Sequence, residues 1–207
     1  EQRDGSSAKI YFAHLGSIYD YFLKDVQKAL RPKGIGAPAT DLEAPMCSID
    51  NSGIGSLNLR NIIAAAAAWA KVPVEALITT VRIEGGCKVS PNTGLCALSD
   101  ADVATYSAPG AKYPYNCAGV AKGPLQFFDT EWNIWKEAVN KATGEGRTPE
   151  VCNIKDSIYA AAYELSATMA NNVHCAPPNY DVARTPPASS WIQTDIKYAL
   201  TRWAGGC

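Results

Sequence analysis

Between residues 8 and 30, apolar side chains fall at Tyr11, Leu15, Ile18, Phe22, Val26 and Leu30. These steps of three and four trace one helical face, so the pattern predicts an amphipathic helix. The stretch RPKGIGAPATDLEAPMCSIDNSGIGS, residues 31–56, breaks the pattern with Pro and Gly at short intervals and reads as an irregular linker. A second helix is expected from Ser56 or Leu57 to about Lys71, where Pro73 stops it and opens the next as a first-turn proline. That next helix, VPVEALITTVRIEGG, ends at the pair Gly85-Gly86, which lets the chain leave in a left-handed conformation.

From Cys87 to Cys117 the periodicity fades, and Gly, Ser, Asp and Pro with three cysteines predict a disulfide-pinned loop region. Helices are expected again at about 127–142, 155–171 and 190–203, the last capped by Ser189 or Ser190. No stretch alternates apolar and polar for long, and no internal repeat is visible. The expected fold is mainly α, with residues 1–56 as an N-terminal helix and linker and residues 57–207 as the main domain.

Composition narrows the classes. The chain has 207 residues, a net charge of -1, 47% hydrophobic and 19% charged residues, which describes a globular protein with a sizeable core. Without a basic stripe, neither nucleic acid nor an anionic membrane surface is the expected partner. The longest apolar run, Ile62 to Ala70, covers nine residues. A membrane span needs roughly 20, so no membrane span is expected. No charged segment followed by an apolar one opens the sequence, so if the protein is exported its signal is expected to have been removed already or to lie outside this sequence.

Seven cysteines stand at 47, 87, 96, 117, 152, 175 and 207. A zinc site would want paired Cys or His spacing, but there is no CxxC, and the two histidines, His14 and His174, lie far apart. Disulfides formed in an oxidising compartment are the better reading, with Cys47 as the thiol left over. The spacing does not fix the connectivity.

Two places carry candidate chemistry. Glu84 closes a helix whose preceding turns, through Ala76, Leu77, Thr80, Val81 and Ile83, are largely apolar. A carboxylate there faces the negative end of the helix dipole, and partial burial also disfavours its charge, so it is expected to hold a proton more readily and act as a general acid. A solvated last-turn glutamate is the plainer alternative. The segment CAGVAKGPLQFFDTEW, residues 117–132, runs from small residues to Gly123-Pro124 and then turns aromatic around a single amide side chain, Gln126. It is either a glycine-lined approach for a ligand or a Gly-Pro helix start with Phe127 and Trp132 packing in the core.

An EGG at a helix end, a later GxxxGPLQF, an Ala-rich AAAYEL helix and a terminal ALTRWAGG occur in this order. In order and role they resemble the lytic transglycosylase family, most closely the branch with GAMGPMQF-type motifs, over residues 57–207. Gly119, Gly123, Pro124, Gln126, Phe127 and Trp132 fit that pattern in register, as do Ala161, Ala162 and Leu165. The resemblance implies a lysozyme-like α domain that cuts the β-1,4 bond between N-acetylmuramic acid and N-acetylglucosamine in peptidoglycan. Glu84 would be the single acid/base, protonating the glycosidic oxygen and then taking a proton from the 6-hydroxyl, which leaves a 1,6-anhydromuramoyl end. Gln126 and Gly123 would line the glycan cleft, with Tyr163 and Trp203 as aromatic contacts. No metal or organic cofactor is implied, and the protein would be exported to the envelope, periplasm or exterior.

The sequence departs from the family pattern at four points. Gly85 stands where many members have Ser, and Glu164 stands where an aromatic is usual, with Tyr163 one place earlier. Glu164 is then either a charge in the cleft or part of a solvated helix face. The end motif reads Trp203-Ala204-Gly205-Gly206 rather than Tyr-Asn before glycine. Finally, the long interval between Glu84 and Gln126 contains Asp100 and Asp102, read as surface loop aspartates. Goose-type lysozymes, relatives by fold, position water with aspartates from the corresponding region, so a hydrolytic muramidase with Asp100 or Asp102 as second acid is the alternative chemistry. A glycan-binding relative without turnover is another, and the N-terminal helix would then suit docking to a cell-envelope protein.

Overall fold

A computed structural model describes residues 54–85, 94–115, 117–171, 180–192, 195–196 and 199–200. The chain divides into two compact units, 1–49 and 50–207, and all the described residues belong to the second. The expected helix at 8–30, residues 31–53 of the linker, Cys47 and Trp203 lie outside the described residues.

Ser56 starts the first helix, α1 (Leu57–Ala70), by accepting the Leu59 N–H on its side chain. Leu59, Ile63, Ala66, Ala67 and Ala70 form its buried stripe, at the spacing of one helical face. The helix stops at Lys71, which takes the left-handed conformation at φ 56°. Pro73 is the cap residue rather than the first helical residue of α2 (Val74–Glu84), one place earlier than the sequence suggests. Ala76 through Val81 are all buried in α2.

The region read as loop holds a further helix, α3 (Asp100–Ser107), preceded by a 3-10 turn at Leu95–Ala97. Ser99 and Asp102 cap α3 reciprocally, each side chain meeting the other residue's backbone N–H. Two short antiparallel strands follow, β1 (Ala121–Lys122) and β2 (Phe127–Phe128), with Ala121 opposite Phe128 and Lys122 opposite Phe127. Helix α4 (Asp129–Thr143) starts directly from β2 and ends at Gly144, which is left-handed at φ 64°.

Helix α5 (Ile154–Asn171) is the axis of this unit: from Asp156 to Met169 every residue is buried. It packs against α1, α2, α3 and α4. Small side chains at Ser157, Ala160, Ala161, Ala162, Ser166 and Ala167 let neighbouring backbones approach it on several sides. Of the helix expected at 190–203, Asp195, Ile196, Ala199 and Leu200 are helical, and Ser190 belongs instead to a 3-10 turn. The described part of the fold is therefore mainly α, with one minimal hairpin. None of its helices is long and apolar enough to cross a membrane.

One disulfide joins Cys117 to Cys152 and so ties the segment before the hairpin to the loop before α5. Cys96 is disulfide-bonded as well. The loop before α5 is also held electrostatically. Asp156, fully buried, accepts two hydrogen bonds from Arg147, at 2.7 and 3.0 Å, and a third from the Glu150 N–H. Glu145 bridges Arg147 and Lys155 at 2.7 and 2.6 Å.

Candidate functional site

Glu84 is the last residue of α2 and is half-buried; the buried run of that helix ends three residues earlier at Val81, and Ile83, expected among the apolar turns before Glu84, is exposed. Gly85 follows at φ -71° and ψ 3°, so the chain does not leave through a left-handed residue there, as the sequence reading expected. The glycine is needed for space. A Cβ at position 85 would lie 2.3 Å from the Val81 carbonyl oxygen and 3.1 Å from the Leu95 side chain. The Leu95 N–H donates to the Gly85 carbonyl at 2.9 Å, which closes the α2 end onto the following turn.

The segment 117–132 is a short hairpin that runs directly into the start of α4 at Asp129. Leu125 and Phe127 are buried, and Phe127 meets Trp132 and Trp135 at ring-centroid distances of 5.9 and 5.2 Å. Phe127 and Trp132 thus serve as core. Gly123 and Gln126 bracket the turn between the strands, with φ of 74° and 60°. A left-handed glycine is ordinary, whereas a glutamine there is costly, by roughly 1–2 kcal/mol. The Gln126 side-chain amide donates to the Gly123 carbonyl at 3.0 Å, and its backbone N–H donates to the same oxygen at 3.3 Å.

The turn explains Gly123 by packing. A Cβ there would lie 2.0 Å from the Val151 carbonyl oxygen, so the glycine lets the hairpin sit on the loop before α5. Nothing in its surroundings requires a ligand, and the sequence alone carried no sign of this partner.

Tyr163 is 1% exposed, its hydroxyl donates to the Tyr180 carbonyl at 3.2 Å, and its ring lies against Trp69 and Tyr180. Burial pushes its hydroxyl up to about 12. It forms part of the core in this structure. Glu164 is only 3% exposed, so the solvated helix face considered for it does not hold; Thr168 donates to its carboxylate at 3.1 Å.

Asp100 and Asp102 stand in the first turn of α3 and not in an irregular loop. One Asp100 oxygen accepts from the Ser56 hydroxyl at 2.5 Å and from the Asn58 N–H at 2.9 Å. The Asn58 side chain donates in turn to the Asp100 carbonyl at 2.7 Å. This carboxylate pins the start of α1 to the start of α3, and the Ser56 and Asn58 donors hold it below the usual carboxylate range. Asp102 accepts from the Ser99 hydroxyl at 2.6 Å. The signal for the Asp102 role was present in the sequence as Ser-Asp-Ala-Asp, a cap followed three residues later by an acid, whereas the Asp100 contacts to Ser56 and Asn58 are distant in the chain and carry no local signal.

The structure therefore brings Gln126 and Gly123 together in one turn and places Asp100 and Asp102 at one helix start. It sets Tyr163 in the core and Glu84 at the end of α2, which packs on α5. Among the described residues, no His, Cys, Asp and Glu side chains gather into a group that could hold a metal ion. No protein-family model, no curated protein and no solved structure matches the chain.

Proposed function

We propose that the chain is a peptidoglycan-cleaving lytic transglycosylase with a lysozyme-like domain, and that Glu84 is its single general acid/base. It would break the bond between N-acetylmuramic acid and N-acetylglucosamine and leave a 1,6-anhydromuramoyl end without consuming water. The order of the EGG, GPLQF and AAAYEL motifs supports this reading. So does the position of Glu84, a half-buried carboxyl at the C-terminal end of a helix that is buried from Ala76 to Val81.

The observation that carries the proposal is Gln126. Glycine would occupy a turn position at φ 60° without strain, yet this chain keeps a long amide there, and strained backbone persists most often where the side chain has a task. A glycan, rich in hydroxyl and acetamido groups, is a ligand such an amide fits. The Cys117–Cys152 disulfide supports an exported protein in an oxidising compartment. The hydrolytic alternative gains nothing from Asp100 and Asp102, whose contacts are those of helix caps.

The test is mass spectrometry of the muropeptides released from purified peptidoglycan by wild type and by Glu84→Gln. The proposal expects anhydro ends from wild type and a loss of turnover of roughly a hundred- to ten-thousandfold in the variant. Equal turnover by Glu84→Gln would remove the site assignment. Products one water heavier would replace the lyase by a hydrolase, and retention on peptidoglycan without any release would make the chain a glycan-binding protein.

A further inference from the structure

Two non-glycine residues among the described ones hold a positive φ, Lys71 and Gln126. The contacts of Lys71 account for its conformation. Its Nζ donates to the Ala183 and Thr185 carbonyls, and its own carbonyl accepts from the Trp191 indole N–H, so the residue fastens the segment 183–191 to the end of α1. Gln126 is held differently. Its backbone N–H and one side-chain N–H both point at one oxygen, the Gly123 carbonyl, and its Oε1 has no partner among the described residues. An amide fixed through one N–H of its nitrogen holds its oxygen in a set direction, with the second N–H left to donate beside it.

What fixes the Gly123 carbonyl lies deeper. The Gly123 backbone rests on the Val151 carbonyl so closely that no Cβ fits between them. The Val151 carbonyl in turn accepts a 2.6 Å hydrogen bond from the Ser157 hydroxyl, and Ser157 is fully buried on α5. Ser157 Oγ would itself be 3.3 Å from a Cβ at position 123. The next residue after Val151, Cys152, is bonded to Cys117. A continuous series of close contacts therefore runs from the rigid central helix, through Ser157, Val151 and Gly123, to the Gln126 amide.

We propose that Ser157 is a positioning residue for the candidate glycan site: through Val151 and Gly123 it holds the Gln126 amide nitrogen inward and oxygen outward, so the oxygen is set to accept from an acetamido N–H or a hydroxyl of the sugar. The inference rests on the reading of Gln126 as a glycan contact. Removing the Ser157 hydroxyl leaves the Val151 carbonyl without its buried donor, and a carbonyl in that state moves to find another. The hairpin turn seated on it then loses its fixed floor.

The experiment has two readouts on the full chain with disulfides intact. The first is proton exchange of the Gln126 side-chain amide by nuclear magnetic resonance, assigned by its disappearance in Gln126→Ala. Wild type should exchange the bonded proton several-fold more slowly than a solvated glutamine, and both Ser157→Ala and Gly123→Ala should abolish that protection. The second is the kinetics of muropeptide release. Ser157→Ala should raise KM about tenfold, the worth of one good hydrogen bond, with kcat nearly unchanged, and the effect should vanish when Gln126 is already alanine. Protection that survives both substitutions overturns the proposal, as does a KM change that persists undiminished without Gln126. If wild type releases no muropeptide, the transglycosylase reading falls, and the exchange rates still decide the positioning.

Discussion

Replacing Gln126 by glycine and, separately, by alanine sets the strain of the turn against its use. Both changes delete the amide and its 3.0 Å hydrogen bond to Gly123, a partly exposed contact worth about 0.5–1.5 kcal/mol. Only glycine relieves the left-handed conformation at φ 60°, a gain of about 1–2 kcal/mol. Against this, glycine loosens the unfolded chain and gives back about 0.4–1 kcal/mol. Gln126→Gly should therefore lie within about 1 kcal/mol of wild type, because the relief and the two losses nearly cancel. Gln126→Ala keeps the strain and loses the bond, so it should be the less stable of the two by about 1 kcal/mol, or roughly 2–4 °C in Tm for a unit of this size. Urea unfolding under oxidising conditions measures the stability order, and pelleting with purified peptidoglycan measures the function. Both variants should bind and turn over glycan poorly and to the same degree. An alanine variant more stable than the glycine variant would refute the left-handed turn. A glycine variant with wild-type binding would refute the role of the amide.

Other parts of the structure make equally direct predictions. The Cys117–Cys152 bridge closes a segment of 35 residues, so replacing both cysteines by alanine should lower unfolding free energy by about 4 kcal/mol, read from urea midpoints. Asp156→Ala removes one of the two carboxylates that hold Arg147 and leaves Glu145 in place, so it should cost about 1.5–3 kcal/mol, while a paired apolar replacement of Arg147 and Asp156 should cost less. Burial pushes the Glu145 carboxyl up, but hydrogen bonds from Lys155 and Arg147 outweigh it and hold the group below the ordinary glutamate range. A depressed carboxyl stabilises the fold above its unfolded value and loses that contribution as pH falls, so wild type should weaken on acidification below about pH 4.3 more steeply than Glu145→Gln.

The helices that bury a long stripe were legible in the sequence. Ser56 as cap and the spacing of Leu59, Ile63 and Ala66 located α1, and the apolar turns before Glu84 located α2. The α4 and α5 expectations were off by only one or two residues at most ends, because each is long enough for its pattern to repeat. Helix α3 was missed for the opposite reason: of its eight residues only Val103 is buried, so it carries almost no hydrophobic period. Its cap, Ser99 with Asp102, was the available signal. The hairpin was missed because strands of two residues cannot show alternation. At the site, the sequence marked Gln126 as unusual but could not supply its left-handed backbone or the Val151 carbonyl beneath Gly123, since both arise from contacts distant in the chain.

Position 85 shows how such contacts bear on the chemistry. In the transglycosylase pattern that the sequence resembles, many members have, at the place of Gly85, a serine whose hydroxyl could orient a neighbouring carboxyl. The neighbourhood explains the glycine: a serine Cβ would meet the Val81 carbonyl and the Leu95 side chain, and the Gly85 carbonyl is already bonded to the Leu95 N–H. Returning the hydroxyl would therefore push the end of α2 away from the turn at Leu95–Ala97, and Glu84 would move with it. The tight seat of Gly85 leaves no room for a side chain, and so for a hydroxyl, beside Glu84. If Glu84 is the acid, its carboxyl must be oriented by a group other than residue 85, and a gain-of-hydroxyl variant, Gly85→Ser, should reduce turnover rather than improve it.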